Sequence, residues 1–239
     1  MTLFLFDLDG TLTPPRLKMT KEFEDFFVSW AKNKKCFIVT GSDFKKVTEQ
    51  LSLEVMNVFE GIYCSMGNVL WQKGRFVYKN EFKADEKLLK MLENYRASTP
   101  YPYQLFDNYI EKRDGMINFS VLGRDCPYEE RIKYFEFDKE HCEREKIKNE
   151  LSETFKEYDI SIGGMISMDI TPKGYGKEQV AEKLRAKFPA EKIIFFGDKT
   201  FEGGNDYTLA RAILKSGNSS VVQVSGPDET KEFLLTNGD

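Results

Sequence analysis

The sequence predicts an α/β fold: a Rossmann-like parallel-sheet core with an α+β cap domain inserted into it. Three observations carry that prediction. Short apolar runs alternate with amphipathic helical stretches at both ends of the chain, the order of a parallel sheet with right-handed crossovers. The middle third breaks the alternation. The residues that follow the apolar runs are acidic or hydroxylic, and parallel sheets bind ligands beyond the carboxyl ends of their strands.

In chain order, LFLF at residues 3–6 reads as a buried strand. MTKEFEDFFVSWAKNKK then places Phe23, Phe26, Phe27, Trp30 and Ala31 on one helical face, with Thr20 as N-cap and Glu22 and Glu24 near the positive end of the helix dipole. CFIVT is a second buried strand. SDFKKVTEQL opens a helix after Gly41, with Phe44, Val47 and Leu51 in step, and VLWQKGRFVY is a hairpin turning at Lys73–Gly74. From residue 82 the character changes. DEKLLKMLENYRA is an amphipathic helix, YIEKR and MINFSVL are strands, residues 128–158 are charged and mostly helical, and ISIGGMISMDI returns to strand with a bulge or break at Gly163–Gly164. Helix–strand alternation resumes with KEQVAEKLRAKF, KIIFF, NDYTLARAILK and SVVQV. Residues 1–81 and 173–239 are therefore expected to form one discontinuous core domain, with residues 82–172 as its cap.

Composition bounds the function. The 239 residues carry a net charge of −4, with 41% hydrophobic and 31% charged residues, so an ordered globular protein is expected. There is no basic footprint for nucleic acid, so any anion must be gripped by individually placed arginines. No run of about 18 apolar residues exists to span a membrane, and LFLF is too short and lacks the basic flank of a signal peptide, which points to the cytoplasm. Cys36, Cys64, Cys126 and Cys142 form no C-x-x-C pair and read as reduced thiols. A single histidine, His141, leaves acid–base work to carboxylates.

Chemistry gathers at the strand ends. FDLDGT supplies Asp7 and Asp9, VTGSD supplies Thr40 and Ser42, FFGDKTFEGGND supplies Asp198, Asn205 and Asp206, and Lys177 begins the helix before that last strand. A D-x-D pair alone also fits a solvated loop. Followed by Gly10–Thr11 and joined to the late acidic loop, it points to a site. Clustered carboxylates repel one another unless a cation lies among them, and oxygen ligands with a few waters suit Mg2+. Beside such a cation one aspartate can accept a phosphoryl group while the second moves a proton, with the metal and Lys177 neutralising the transferred phosphate.

These residues resemble the haloacid dehalogenase superfamily of phosphotransferases and, within it, the eukaryotic-type phosphomannomutases. FDLDGTLTPPR, RDGMINFSVLGRDCPYEER, GGMISMDITPKGYGK and FFGDKTFEGGND all carry the resemblance, which spans nearly the whole chain, cap included. It implies Asp7 as nucleophile and Asp9 as general acid/base. It implies Mg2+ held by Asp7, the backbone carbonyl of Asp9, and Asp198, with Asn205 and Asp206 behind them. Thr40, Ser42 and Lys177 would bind the phosphoryl group, and Arg16, Arg113, Arg124, Arg131, Ser167 and Asp169 the sugar phosphate. Arginine suits a distal phosphate through forked, charge-assisted contacts, and the alternation of ISMDI puts Ser167 and Asp169 on one strand face. The implied reaction interconverts mannose 6-phosphate and mannose 1-phosphate, with glucose phosphates as further substrates and a hexose 1,6-bisphosphate as activator. A homodimer paired through the cap, and a place in GDP-mannose biosynthesis, are implied as well. Some positions depart from the family pattern. Thr40 precedes Gly41 where relatives carry glycine, which leans toward a Mg2+-dependent sugar-phosphate phosphatase as the alternative. Met66-Gly67-Asn68 replaces an expected Glu-Asn-Gly. In YTLARAILKSGN, Ala210, Ala212 and Lys215 stand at the positions where relatives carry the Asp and Thr that bind a second cation.

Overall fold

The computed structural model describes residues 1–237. The chain divides into two compact units: Met1–Asn80 together with the chain from Tyr175 onward, and Glu81–Gly174. The first part of the first unit runs β1 (Thr2–Phe6), α1 (Lys21–Ala31), β2 (Lys35–Val39), α2 (Phe44–Gln50), α3 (Leu53–Val58), β3 (Phe59–Cys64), β4 (Val69–Gln72) and β5 (Arg75–Lys79). The inserted unit runs α4 (Glu86–Ala97), β6 (Ile110–Arg113), β7 (Met116–Phe119), α5 (Tyr128–His141), α6 (Glu143–Thr154), β8 (Tyr158–Gly163) and β9 (Ser167–Pro172). The chain returns with α7 (Gln179–Lys187), β10 (Lys192–Gly197), α8 (Tyr207–Leu214), β11 (Ser220–Gln223) and α9 (Pro227–Asn237).

The first unit is built on a seven-stranded sheet in the order β11-β10-β1-β2-β3-β4-β5. β11 through β3 pair in parallel, and β3-β4-β5 are antiparallel. The strands are apolar on both faces because helices cover both, as parallel sheets require. Phe4 and Phe6 of β1 pack with Phe23 and Phe27 of α1 on one side, while Leu3 and Leu5 pack with Val180, Leu184 and Leu209 on the other. Thr20 caps α1 by accepting from the Phe23 N–H at 3.3 Å, so the predicted helix starts where its cap residue dictates. The hairpin turns at Lys73 (φ 47°) and Gly74 (φ 81°), the consecutive left-handed pair that a two-residue turn between twisted strands needs.

The inserted unit has a four-stranded antiparallel sheet in the order β6-β7-β9-β8. One face is apolar: Ile117, Phe119, Ile160, Met168 and Ile170 pack with Leu88, Leu92, Tyr134, Ile147 and Leu151 of the helices. The alternation puts polar side chains on the other face.

Several elements differ from expectation. ISIGGMISMDI is not one interrupted strand but a hairpin, β8 and β9, because Gly164 (φ 52°) reverses the chain. The charged helical stretch is two helices, broken at Cys142, which sits in the left-handed conformation at φ 52°. The predicted elements leave out α3, β3 and α9. All four cysteines are free thiols. Among the described residues no helix is long and apolar enough to cross a membrane.

Candidate active site

β1 runs straight into the acidic loop. The Asp7 N–H donates to the Phe196 carbonyl at 2.8 Å, extending the ladder by one residue. The chain then folds tightly, because the Leu8 carbonyl accepts from the N–H groups of Leu12 and Thr13, each at 3.0 Å. Gly10 makes this possible. Its φ is +83°, and a Cβ there would lie 2.7 Å from Asp198 Oδ2, so both backbone angle and space demand glycine.

Asp7 is buried and shares Lys177 with Asp206. The Lys177 ammonium donates to Asp7 Oδ1 at 2.8 Å and to Asp206 Oδ1 at 2.6 Å, all three side chains being almost fully buried. Lys177 lies two residues before α7. Its approach is fixed by Asn68 and Gln179, both of which donate to the Tyr175 carbonyl, at 3.0 and 2.8 Å. Burial, reinforced by the Asp206 charge, pushes the Asp7 carboxyl up to about 8 even though Lys177 pulls it down. Burial also raises Asp198. Burial works against the Lys177 ammonium, but Asp206 and Asp7 outweigh it and hold its pKa above the ordinary range.

Asp9 is held apart from this group. Its Oδ1 accepts from the Arg16 backbone N–H at 2.7 Å and from Gln50 Nε2 at 3.1 Å; its Oδ2 accepts from the Ser42 hydroxyl at 3.1 Å. Arg16 is exposed, and its left-handed backbone (φ 67°) turns the N–H toward Asp9. Gln50 was not among the expected site residues. It is buried at the end of α2 and also accepts from the Thr13 hydroxyl at 3.0 Å. Thr40 lies at the end of β2, and its hydroxyl accepts from the Ser42 N–H at 3.0 Å.

Asp7, Asp198 and Asp206 each place one carboxylate oxygen within 4.8 Å of the others. Asp198 Oδ1 and Asn205 Oδ1 are buried, and neither has a hydrogen-bond partner among the described residues. Three carboxylates and orphaned oxygens, faced by the buried Lys177 ammonium and, at Asp198 Oδ2, by the partly exposed Lys199 at 3.4 Å, fit a hard divalent cation such as Mg2+. Asp206, expected only behind such an ion, lies within the acidic group itself. A pH signature follows. With a folded pKa raised from 3.8 to about 8, Asp7 binds a proton in the folded chain that the unfolded chain has already lost, so stability without cation falls as pH rises across that interval. A cation replaces that proton. Mg2+ at about 100 times its Kd is expected to add about 2.7 kcal/mol, or roughly 5–10 °C in Tm for a chain of this size, at pH 8. The gain is expected to be clearly smaller at pH 5.5 in thermal melts. Equal gains at both values would contradict the assignment of the acidic group as the cation site.

The inserted unit carries a second polar cluster. Pairing places Glu111 opposite Asn118, Asn118 opposite Asp169, and Asp169 opposite Ser161, a polar row running across all four strands. Asn118 donates to Asp169 Oδ1 at 2.6 Å, and Arg124 Nη1 donates to Asn118 Oδ1 and to the Ser167 hydroxyl, the latter at 2.7 Å. Arg113 pairs with Glu111 and lies 4.0 Å from Asp169; Arg124 Nε lies 3.3 Å from Glu111. Arg131, seven residues on, donates to the Arg124 carbonyl at 2.5 Å. Arg113, Arg124, Ser167 and Asp169 thus come together on one face of this unit, with Arg131 tied in through the backbone. Glu111 and Asn118 join them unexpected.

A buried lysine bridging an aspartate at the end of β1 and a second at the start of α8, beside a separately held acidic side chain, suits phosphoryl transfer to a carboxylate. The fold is that of the haloacid dehalogenase superfamily: the structure of a sugar phosphatase of its subclass IIB aligns with a TM-score of 0.61 over 100% of this chain and 99% of that one, at 18% identity. Residues 23–236 match the eukaryotic phosphomannomutase family. A phosphomannomutase of Dendrobium officinale is 37% identical over 96% of this chain and 91% of its own length, and one of Drosophila melanogaster 38% over 87% and 85%. The chain belongs to the eukaryotic phosphomannomutase family.

Proposed function

We propose that this chain interconverts mannose 6-phosphate and mannose 1-phosphate, with glucose phosphates as weaker substrates, and that a hexose 1,6-bisphosphate primes it. The observation that carries the reading is the Asp7–Lys177–Asp206 arrangement with Asp9 two residues from Asp7 yet held by a different set of donors. An Asp7 carboxylate oxygen attacks phosphorus of the bisphosphate. The bond from phosphorus to the sugar oxygen breaks, and Asp9 delivers a proton to that oxygen. In the second half, Asp9 takes the proton from the hydroxyl of a hexose monophosphate as that oxygen attacks the aspartyl phosphate, and the bond from phosphorus to Asp7 breaks. Lys177 remains charged throughout and offsets the negative charge gathering at Asp7, while Thr40 and Ser42 hold the phosphoryl oxygens.

Mg2+ held by Asp7, the Asp9 carbonyl and Asp198, with Asn205 and Asp206 supporting it, supplies further charge neutralisation when bound. Arg16, Arg113, Arg124 and Arg131 bind the phosphate that is not being transferred, and Ser167 and Asp169 the sugar hydroxyls. Residues 82–172 are read as the cap that keeps water from the aspartyl phosphate.

The test is direct. The purified protein is incubated with Mg2+ and mannose 1-phosphate, with and without glucose 1,6-bisphosphate, and the 6-phosphate isomer and inorganic phosphate are assayed separately. Isomer formation that depends on the bisphosphate is expected. Phosphate release without isomer, independent of bisphosphate, would replace this reading with that of a sugar-phosphate phosphatase.

A further inference from the structure

The junction of α5 and α6 contains a buried ion pair that the reaction above does not use. Asp138 and Arg144 are 8% and 4% exposed. Asp138 Oδ1 accepts from the Arg144 backbone N–H at 2.8 Å, and Oδ2 from Arg144 Nε at 2.7 Å. The carboxylate therefore both ties down the start of α6 and sets the plane of the guanidinium. At the far end of that plane, Arg144 Nη1 donates to the carbonyls of Gly164 at 3.2 Å and Ser167 at 3.3 Å, with the Gly163 carbonyl at 3.5 Å.

Those carbonyls belong to the β8–β9 turn. Its two glycines have no side chains to pack, so its backbone oxygens are what a neighbour can grip. The turn bears directly on the polar cluster. The Ser167 hydroxyl accepts from Arg124 on one side while the Ser167 carbonyl accepts from Arg144 on the other. Asp169 lies against Gly163 so closely that a Cβ there would come within 2.6 Å of Asp169 Oδ2. A buried ion pair is a poor way to add stability, because desolvation offsets much of its attraction. Its directional donors are a good way to fix a glycine turn in place.

We infer that the Asp138–Arg144 pair is a positioning device for sugar-phosphate recognition: it fixes the β8–β9 turn and thereby places Ser167 and Asp169. The inference rests on the proposed function, in which those two residues contact the sugar. Arg144→Lys keeps a cation for Asp138 but loses the planar fork. Arg144→Met keeps the bulk without donors, and serves if the lysine variant folds poorly.

The KM for mannose 1-phosphate is expected to rise about tenfold or more in both variants. Hydrolysis of acetyl phosphate, a phosphoryl donor without a sugar, is expected to stay within about twofold of the parent, because that reaction needs only the Asp7 centre. Ile147→Val, a packing change elsewhere in α6, serves as a packing control and is expected to leave KM unchanged. Ser167→Ala and Asp169→Asn are measured alongside. If they raise KM and the Arg144 variants do not, the positioning role is overturned while the proposed function stands. If they leave KM unchanged, the assignment of Ser167 and Asp169 to the sugar fails, and the positioning role falls with it.

Discussion

Asp7→Asn is expected to lower mutase turnover by roughly 10⁴-fold or more, the scale on which removing a covalent nucleophile acts. The amide is the same size as the carboxylate but carries no charge and is a poor nucleophile, so the bond from oxygen to phosphorus cannot form. The structure adds a second expectation that separates this loss from misfolding. Asp7 shares one ammonium with Asp206 and lies close to Asp198. Burial and Asp206 raise its pKa to about 8, so near pH 7.5 ionising Asp7 costs the cation-free fold stability. The asparagine removes one of three clustered acids. Its Tm without Mg2+ is expected to equal or exceed that of the parent, while the stabilisation given by Mg2+ shrinks. Turnover is read in a coupled assay, and the aspartyl phosphate by mass spectrometry after rapid acid quench. Turnover retained in this variant would remove Asp7 from the mechanism.

Lys177→Met is expected to have the largest effect on the fold and to abolish turnover as well. Lys177 is almost fully buried and is the ammonium that Asp7 and Asp206 share. Removing one partner of a buried charge network costs about 3–5 kcal/mol, or on the order of 10 °C in Tm for a chain of this length. The sign of the pH dependence follows from what remains. Without the ammonium Asp7, already raised to about 8 by burial and the Asp206 charge, titrates further above its unfolded value, so the folded state holds a proton that the unfolded state lacks. The destabilisation is then smallest near pH 5, where Asp7 is protonated in both proteins, and grows toward pH 9, above the parent's Asp7 value. Urea titrations at the two pH values measure it. A deficit that is independent of pH would mean that Lys177 acts through packing alone.

How far the sequence reveals this site depends on how local each signal is. The strand that delivers Asp7 is an unbroken apolar run, and Gly10 follows directly, so strand, turn and carboxylates are legible within ten residues. Thr20 announces α1 in the same way. Gln50 is different. It lies on the inner side of a seven-residue helix, three residues after Val47, where a polar residue reads as an exception to the apolar face. Its partner Asp9 is 41 residues away and cannot be inferred from spacing. Glu111 and Asn118 become neighbours only through the register of the β6–β7 hairpin, and Asn118 and Asp169 only through the pairing of β7 with β9. The available hint is Asn118 itself, a polar residue in the middle of the otherwise apolar strand Met116–Phe119. The helix α3 has six residues, too few for a helical period to be counted, and β3 directly after it shares that ambiguity. Arg113 and Arg124 look like ordinary surface arginines until their strands and loops are folded together.

The position of β1 between β10 and β2 sets an order of events during synthesis. On leaving the ribosome, residues 2–6 can pair with β2 within a few dozen residues, but their other edge waits for β10, about 190 positions later. Until then Leu3–Phe6 offers an uncovered row of amides flanked by apolar side chains, the kind of template that draws in a second strand. Residues 81–174 have an interior of their own and can condense in the meantime. A nascent chain halted before residue 192 should therefore be far more prone to aggregation than one allowed to run to its end.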